Sequence, residues 1–491
     1  MNLMGQEYEE KGDKAKKVIK ISIIVAVIAL FIVLGVYMYI YYMDLQTLKM
    51  SVNGESKKIT QDLFVIDDSG NVYVSIKDIA SVVGYEYYQG EYGKYTEDSN
   101  KCYVANKNEV AGFELGSNKL YKLDPNSDNQ NYEWYELKEP VKILKGKLYC
   151  LSDSIQTACN LQFKYDTEKN RIRITTLEKL VSYYQELAVG QYKYAGIDTT
   201  YANEKAILYN MLVIKKAETD SNGKVLKDKY KYGVITLDNK NIIGTKYDNI
   251  EFTEVTQEFF VTSSKKVGIL SNEGAQKIDL SYDEIKILDN ELRLYYVRNG
   301  ETKGVLDKNG KRVVYLEYEK IGLDLSKFPR NNITNNMLLF DNCIPVMKNG
   351  KWGLFDKNGN QILDTVYDSI GYIAGTKKDT AENNLAVIPD IEGIVVCKDE
   401  KYGIVNSRGK FIAPCSFDKI YSITNLGKDT YYLTYGTQTI TLEDYQKLNG
   451  NQSSDVPTES TTTDTTSTTV ENGVTNTVST ENDAVDTELG Q

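Results

Sequence analysis

The stretch KWGLFDKNGNQILDTVYDSI, residues 351–370, contains the pattern that decides the fold of this chain. It opens with an aromatic–glycine pair, continues through a short apolar run to a D-K-N-G turn, and ends with a second apolar run and Y-D-S-I. Short apolar runs rich in branched side chains favour buried strands, and a turn with Asp first and Gly last favours a tight connection. The stretch therefore predicts a β-hairpin, and its recurrence elsewhere would indicate a repeat protein.

The same unit occurs five times with constant spacing, and the other copies begin at Lys231, Lys266, Thr302 and Lys401. In every copy an aromatic residue follows the anchor glycine by fourteen positions, and an isoleucine follows the aromatic by three. We expect these residues to define a repeated β-unit and to have structural rather than catalytic roles. The predicted repeat-defining residues are Gly233, Tyr247, Gly268, Tyr282, Gly304, Tyr318, Trp352, Gly353, Tyr367, Gly403 and Phe417.

Each copy is expected to contribute about four strands. A strand-like run precedes the anchor glycine, as in EFFVTSS and GIVVCKD, and another extended piece follows Y-D-x-I. The first copy has LDNKN at the turn, where we place Asn241 in the left-handed position that glycine takes elsewhere. The anchor glycine is expected to let a ring or the backbone approach closely. Four-stranded units of this size predict a mainly β fold with a propeller-like array, and an open β-solenoid is the alternative.

These residues resemble the WG-repeat family, whose unit contains K-W-G, a turn glycine, an apolar strand and Y-D-x-I. The resemblance covers nearly two-fifths of the chain. Trp352 keeps the tryptophan that gives the family its name, Tyr232 and Tyr402 are close substitutes, and Val267 and Lys303 depart from it. The resemblance implies a binding or scaffolding module and supplies no catalytic residue.

An apolar segment precedes the repeats. From Ile21 to Met43 the chain has no charged residue, and as a helix this segment is roughly 35 Å long, enough to cross the core of a bilayer. A cleaved signal peptide would have a shorter apolar run and a small-residue cleavage site. Lysines cluster between Lys11 and Lys20, so the positive-inside bias predicts a cytoplasmic N-terminus. We expect a single-pass cell-membrane protein that contacts the lipid bilayer through this segment, with the bulk of the chain extracellular.

The region between this segment and the repeats contains a shorter duplication. VYVSIKDIASVVGYEYYQ, from Val72, aligns with LYCLSDSIQTACNLQFKY, from Leu148, at an offset of 76 positions. Each copy predicts a strand, a short helix ended by a left-handed Gly84 or Asn160, and a second strand. The pair resembles the stalk-type domain named for the N-terminal domain of copper amine oxidases, but the chain has no histidine for a copper site.

Residue counts narrow the chemistry. The absence of histidine removes His-dependent nucleophilic schemes and His-ligated metal sites, and we expect no metal or other cofactor. The net charge is −11, and eight acidic residues lie in a Thr/Ser-rich C-terminal tail without Lys or Arg, so no nucleic-acid partner is expected. Four of the six cysteines align with apolar residues of the other copies, and the cysteines are expected to be mostly free core thiols, with Cys150 and Cys159 the first pair to check.

The sequence thus predicts a membrane-anchored extracellular binding or scaffold protein of a Gram-positive-type cell surface. Its partner would be a cell-wall polymer or a surface protein, and it would not be an enzyme. Two alternatives stay open: a surface glycosidase that uses an Asp/Glu pair, and a transmembrane ligand sensor. The predicted regions are a cytoplasmic tail 1–20, a transmembrane helix 21–43, a stalk-type α+β domain 44–177, a linker with a helix 178–203, a WG-repeat β domain 204–445 and a disordered tail 446–491.

Overall fold

The N-terminal part is one long helix, α1 (Leu3–Gln46), which contains the apolar segment Lys20–Met43. Every side chain from Ile21 to Met43 is exposed, so the described part of the protein gives this segment no apolar cover. A helix of this length and composition is compatible with a single membrane span and equally with a signal sequence. The computed structural model describes residues 3–91, 94–95, 100–123, 133–289, 292–324, 327–328, 338–339, 342–375, 382–425 and 428–449.

After α1 the chain forms an α+β domain around one apolar core. Its helices are α2 (Ile76–Val83) and α3 (Ser152–Cys159). Its strands are β1 (Lys49–Val52), β2 (Glu55–Lys57), β3 (Phe64–Ile66), β4 (Val72–Ser75), β5 (Glu86–Glu91), β6 (Lys94–Tyr95), β7 (Lys101–Ala105), β8 (Val110–Glu114), β9 (Lys119–Leu123), β10 (Glu133–Glu136), β11 (Lys142–Leu144), β12 (Lys147–Leu151), β13 (Leu161–Asp166) and β14 (Arg171–Thr176). These strands form three sheets, with the strand orders β13-β14-β1-β2, β11-β12-β4-β3 and β10-β9-β8-β7-β5-β6.

The two predicted copies of this domain pair with each other at its centre. Strands β4 and β12 are antiparallel neighbours, with Tyr149 opposite Ser75. Helix α2 ends at Gly84 with φ 81°, and α3 ends at Asn160 with φ 45°, both in the left-handed conformation that the sequence predicts. The strand that follows each helix enters a different sheet, because β5 joins the six-stranded sheet and β13 joins the sheet of β1.

The predicted linker is largely ordered and belongs in part to the repeats. Helix α4 (Leu177–Gly190) packs Leu180 and Ala188 into the core beneath the first repeat sheet. The short strand at 196–197 pairs with the next strand of that sheet, so the first repeat sheet includes residues of the predicted linker. The short helix α5 (Tyr201–Glu204) and a 3₁₀ helix (Lys205–Tyr209) follow.

The rest of the chain forms six successive antiparallel sheets, within the residues that the structure describes. Strands follow chain order inside each sheet, apart from one short added strand in the fifth. Sheet by sheet, they are β15 (Gly196–Ile197), β16 (Met211–Thr219), β17 (Val225–Thr236) and β18 (Asn241–Tyr247); β19 (Asn249–Thr253), β20 (Glu258–Ser263), β21 (Lys266–Ser271) and β22 (Gln276–Tyr282); β23 (Glu284–Asp289), β24 (Leu294–Asn299), β25 (Thr302–Leu306) and β26 (Arg312–Tyr318); β27 (Lys320–Ile321), β28 (Ile344–Lys348), β29 (Lys351–Phe355) and β30 (Gln361–Tyr367); β31 (Ser369–Ile370), β32 (Val387–Ile388), β33 (Gly393–Lys398), β34 (Lys401–Asn406) and β35 (Phe411–Phe417); and β36 (Lys419–Asn425), β37 (Lys428–Tyr435) and β38 (Gln438–Thr441).

Consecutive sheets pack against each other: β18 contacts β20, β22 contacts β24, β26 contacts β28, β30 contacts β33 and β35 contacts β37. The mainly β fold and the four-stranded unit are therefore confirmed. Helix α6 (Leu442–Asn449) follows the sixth sheet, with Leu442 buried and the Tyr445 ring 5.5 Å from the Phe417 ring. The helix α6 thus includes the predicted boundary at 446, and residues 450–491 of the predicted tail lie outside the described residues.

All six cysteines are free thiols, five of them buried and Cys415 partly so. Cys102, Cys150 and Cys159 share the core of the N-terminal domain with branched apolar side chains. Burial raises the pKa of Cys159 to about 12, which leaves the thiol protonated and unreactive. The core role that the sequence predicts for these residues is confirmed, and Cys150 and Cys159 are not bonded to each other.

Candidate functional site

The anchor glycine of each repeat lies beneath a β-bulge. In the fourth sheet Trp352 is opposite Tyr367 and Leu354 is opposite Leu363, so β30 has extra residues facing Gly353. A Cβ atom at Gly353 would lie 2.7 Å from the Leu363 carbonyl oxygen, and the equivalent distances in the five copies are 2.6–2.8 Å. The predicted close approach is therefore made by backbone, and no larger side chain fits.

The aromatic residue fourteen positions later closes the other side of the bulge. It lies opposite the residue that precedes the glycine, in the pairs Tyr232–Tyr247, Val267–Tyr282, Lys303–Tyr318, Trp352–Tyr367 and Tyr402–Phe417. Four of these aromatic residues are buried, and Tyr282 is partly buried. The residue before the glycine only has to contact the aromatic residue across the two strands, so its type can vary. This explains why Val267 and Lys303 can replace the tryptophan or tyrosine of the other copies.

The acidic residue after the aromatic links its own repeat to the next sheet, and we call this link the repeat clamp. Asp248 accepts hydrogen bonds from the ammonium group of Lys231 and from the backbone N–H of Ser264 at 2.7 Å. The hydrogen bond from the lysine, followed by that from the backbone, lowers the pKa of Asp248. The other clamps join Asp283 to Lys266 and Gly300, Asp368 to Lys351 and Glu400, and Asp418 to Lys401 and Gly436.

The third repeat has a variant clamp. Glu319 replaces the aspartate and accepts from the backbone N–H groups of Asn349, at 2.8 Å, and Gly350, at 3.3 Å. Thr302 stands where the other copies have lysine, so this clamp lacks the lysine that the other four clamps use. The clamp was not among the predicted features, although the sequence carries a signal for it: an acid fifteen residues after every anchor glycine and, in four copies, a lysine two residues before it.

The turn glycine makes a second contact between sheets. Gly359 has φ 90°, and a Cβ atom there would lie 2.4 Å from the Val313 carbonyl oxygen in the preceding sheet. Gly274, Gly310 and Gly409 meet the preceding sheet in the same way at 2.5–2.7 Å.

The first repeat differs at this turn, and our placement of Asn241 in the glycine position is wrong. Asn239 takes the left-handed conformation with φ 66°, whereas Asn241 is the first residue of β18. Asn239 is exposed, and no earlier repeat packs on this turn, so a residue that tolerates positive φ is sufficient there.

Four buried charges join the N-terminal domain to the repeats, and we call them the junction cluster: Glu109 and Lys122 from the first part, Lys205 and Glu254 from the second. The Lys122 ammonium group lies 3.0 Å from each of the two carboxylates. The Lys205 ammonium group lies 2.6 Å from Glu109 and 3.0 Å from Glu254. Each cation therefore bridges both anions, as a buried pair requires if its desolvation is to be offset.

Polar side chains complete the junction cluster. The Asn160 amide donates to Glu109 at 2.6 Å, and the hydroxyls of Tyr135 and Tyr209 donate to Glu254 at 3.2 Å. Burial would raise the pKa of Glu254, but the charges of Lys122 and Lys205 outweigh burial and lower the pKa to about 2. A carboxylate held ionised in this way cannot serve as the general acid of a glycosidase.

A cleft of about 950 Å³ lies beside the junction cluster, between the N-terminal domain and α4. Its walls include Asn106, Glu178, Tyr201 and Glu204. Burial and the nearby charges of Asp198 and Glu178 raise the pKa of Glu204. Among the residues that the structure describes, no group of His, Cys, Asp or Glu side chains has the arrangement of a metal site.

Comparisons with known proteins identify the repeat type. The family described as WG containing repeat matches residues 352–375 and 402–428, which belong to the fourth and fifth copies. No curated protein matches the chain.

Solved structures give only weak likenesses. A eukaryotic initiation factor structure is 11% identical over 71% of this chain and 86% of that chain, with a TM-score of 0.22. Apo AztD from Citrobacter koseri is 10% identical over 73% and 87%, with a TM-score of 0.21. An uncharacterised protein from Listeria monocytogenes EGD-e is 10% identical over 69% and 89%, with a TM-score of 0.19. Scores this low carry no inference, and the family match is the informative result: this is a mainly β chain that contains WG repeats.

Proposed function

We propose that the chain is a membrane-anchored extracellular binding or scaffold protein, whose repeat array binds a surface protein or a cell-wall polymer without catalysis. The observation that carries the proposal is the repeat clamp. The recurring glycine and aromatic residues shape the hairpin of each repeat. The recurring lysine and acidic residues link each repeat to the next sheet, as with Lys231, Asp248 and Ser264. Recognition is then left to the exposed positions that differ between copies, such as Tyr315 and Phe411.

The six sheets are best accommodated by a propeller-like arrangement in which the first and last sheets meet. Each sheet contacts the next through the clamp, and the first four sheets also contact the turn glycine of the next sheet, which is the neighbour contact such an array needs. The junction cluster would then fix the array to the N-terminal domain. That domain would act as a spacer above the membrane, which is the role implied by its resemblance to the stalk-type family.

The anchoring can be tested with protease added to intact protoplasts that carry the full chain. External protease is expected to digest the repeats and leave a membrane-bound fragment that contains the apolar segment Lys20–Met43. A mature protein that lacks the first residues through Met43 would show that the segment is a signal sequence. Survival of the intact chain would show that the orientation is wrong.

Binding can be tested with the full chain in detergent micelles, captured on isolated cell walls or on labelled surface proteins. The double variant Tyr315→Ala/Phe411→Ala should weaken capture and keep its melting temperature, because both side chains are exposed. A chain retained by neither material would contradict the proposal.

The same samples test the two alternatives. Release of reducing ends from the walls, abolished by Glu204→Gln, would support a glycosidase that uses the cleft beside α4. A sensor would need a ligand-dependent change on the far side of the membrane, where the helix α1 begins at Leu3. A shift in cross-linking between α1 helices on adding ligand would favour that alternative.

A further inference from the structure

The outer face of the six-stranded sheet in the N-terminal domain carries a row of aromatic residues in direct cross-strand register. Tyr88 is opposite Tyr103, Tyr103 is opposite Gly112, Gly112 is opposite Tyr121, and Tyr121 is opposite Trp134. We call these five residues the aromatic row. Neighbouring strands are about 4.8 Å apart, so the row extends roughly 19 Å across five strands.

The glycine in the middle of the row shapes it into a trough. A Cβ atom at Gly112 would lie 2.1 Å from the Tyr121 ring, so this ring lies low across the sheet in the space that a side chain would fill. The Tyr103 ring stands at 73° to the Tyr121 ring, with centroids 5.9 Å apart. The Trp134 ring is tilted at 59° to it, at 5.3 Å, and is 42% exposed. Tyr121 thus forms a floor between two steeper rings.

Charged residues of both signs run alongside the trough. Lys101, Glu114, Lys119 and Glu136 lie two positions along their strands from members of the aromatic row, and therefore on the same face. Lys101 is opposite Glu114, and Lys119 is opposite Glu136. The Lys119 ammonium group lies 5.7 Å from the centre of the Trp134 ring. This flank offers hydrogen-bond donors and acceptors next to the apolar rings, without an excess of either charge.

We propose that the aromatic row is a binding site for a β-linked pyranose polysaccharide. Flat sugar rings with equatorial hydroxyls present C–H faces that stack on aromatic rings, while their edge hydroxyls need both donors and acceptors. A nucleic acid would need a basic flank, and this flank is balanced in sign. The site is separate from the repeats; only the natural source of the glycan, the cell envelope, rests on the proposed function.

The test uses the full chain in detergent micelles and isothermal titration with chitohexaose and cellohexaose, each at matched concentration. At least one of the two should bind, and Trp134→Ala should weaken that binding about tenfold or more. Gly112→Ala should weaken it too, because the new methyl group displaces the Tyr121 ring, a side chain that can move. Tyr435→Ala removes an exposed ring from the repeats and is the matched control, expected to bind like the parent chain.

Three results would overturn the proposal. The first is that neither oligosaccharide binds the folded parent chain. The second is that binding persists unchanged in Trp134→Ala and Gly112→Ala, which would place it elsewhere. The third is that a proline-rich peptide binds at the row and competes with the sugars, which would identify the trough as a peptide groove. The exposed variants on the repeats, Tyr315→Ala and Phe411→Ala, leave this titration unaffected, so failure of the glycan site and failure of the repeat function are distinguishable.

Discussion

At the residue scale, the carboxylate of the repeat clamp acts mainly as an acceptor for the next sheet. Asp248→Ala removes the acceptor for the Ser264 N–H and should lower the free energy of unfolding by about 1 kcal/mol. Asp248→Asn keeps an oxygen at that place and should cost less than half as much. Urea unfolding of the three proteins measures the difference. Equal losses in both variants would show that the charge on Lys231 matters more than the backbone contact.

Two turn glycines of the fourth sheet allow the contact between sheets to be separated from backbone strain. Gly350 and Gly359 both have positive φ, but a Cβ atom would meet the preceding sheet only at Gly359, since nothing lies within 4 Å of a Cβ at Gly350. Gly359→Ala should therefore cost about 1–3 kcal/mol more than Gly350→Ala, because it adds a clash to the same backbone strain. The denaturant midpoints of the two variants check this. Similar midpoints would mean that the two sheets can move apart around the new methyl group without a loss of stability.

The spacing of residues in the sequence predicted the roles of some repeat residues and not of others. The anchor glycine and its aromatic partner could be found because both lie in one hairpin, where sequence distance fixes spatial distance. The clamp joins Asp368 to a backbone N–H group 32 positions later, across a loop whose length differs between copies. The turn glycine follows the anchor glycine by six positions in the other four copies, so the same spacing favours Asn239 over Asn241, and the backbone angles agree.

At the scale of elements, the junction cluster should control how firmly the N-terminal domain holds the repeats. Lys122→Met leaves buried carboxylates with one cation and should lower the free energy of unfolding by about 3–5 kcal/mol. Lys122→Met/Glu109→Gln leaves one cation with one anion and should recover part of the loss. The control Lys240→Met breaks an exposed pair with Asp238 and should change little. Calorimetry on the parent chain and the three variants measures these differences. If Lys122→Met were as stable as the control Lys240→Met, the junction cluster would have no structural role.

The same cluster predicts an acid-sensitive junction. The pKa of Glu254 is lowered from 4.5 to about 2 in the folded protein, so its ion pairs contribute stability above pH 4.5. That contribution is lost as the pH falls towards 2. Glu254→Gln, which does not titrate, should be less stable at neutral pH and should lose less stability over the acid range. Unfolding measured at several pH values would contradict this if both proteins followed parallel curves.

No local pattern could have predicted the junction cluster. Lys122 and Glu254 are 132 positions apart and come from different domains, so their contact depends on how the domains pack. The strands themselves were predictable, because alternating apolar residues and turn signals act over a few residues. The aromatic row is an intermediate case: its members lie on five strands, and only the strand register brings them into line.

At the scale of the whole molecule, closure of the array determines how it unfolds. Tyr367 is buried in the core that the fourth sheet shares with the fifth, and Tyr367→Ala should cost about 3–5 kcal/mol. If the first and sixth sheets meet, as we propose, hydrogen exchange should show all six sheets losing protection together. Protection that persists in β15–β22 while later sheets exchange would indicate an open solenoid. Unchanged stability with lost wall binding would make Tyr367 a ligand contact.

The repeat clamp also favours folding of the sheets in the order in which they are synthesised. Each carboxylate is synthesised before the hairpin that satisfies it, by 16 positions for Asp248 and 32 for Asp368. At about 5–20 residues per second of translation, a sheet therefore waits seconds at most for its partner turn. Folding can follow synthesis from the first repeat to the last, and the clamp of Asp418 with Gly436 closes just before the final helix. A chain interrupted between two hairpins would end in a carboxylate without its backbone donor and in an uncovered sheet, which would mark incomplete products for degradation.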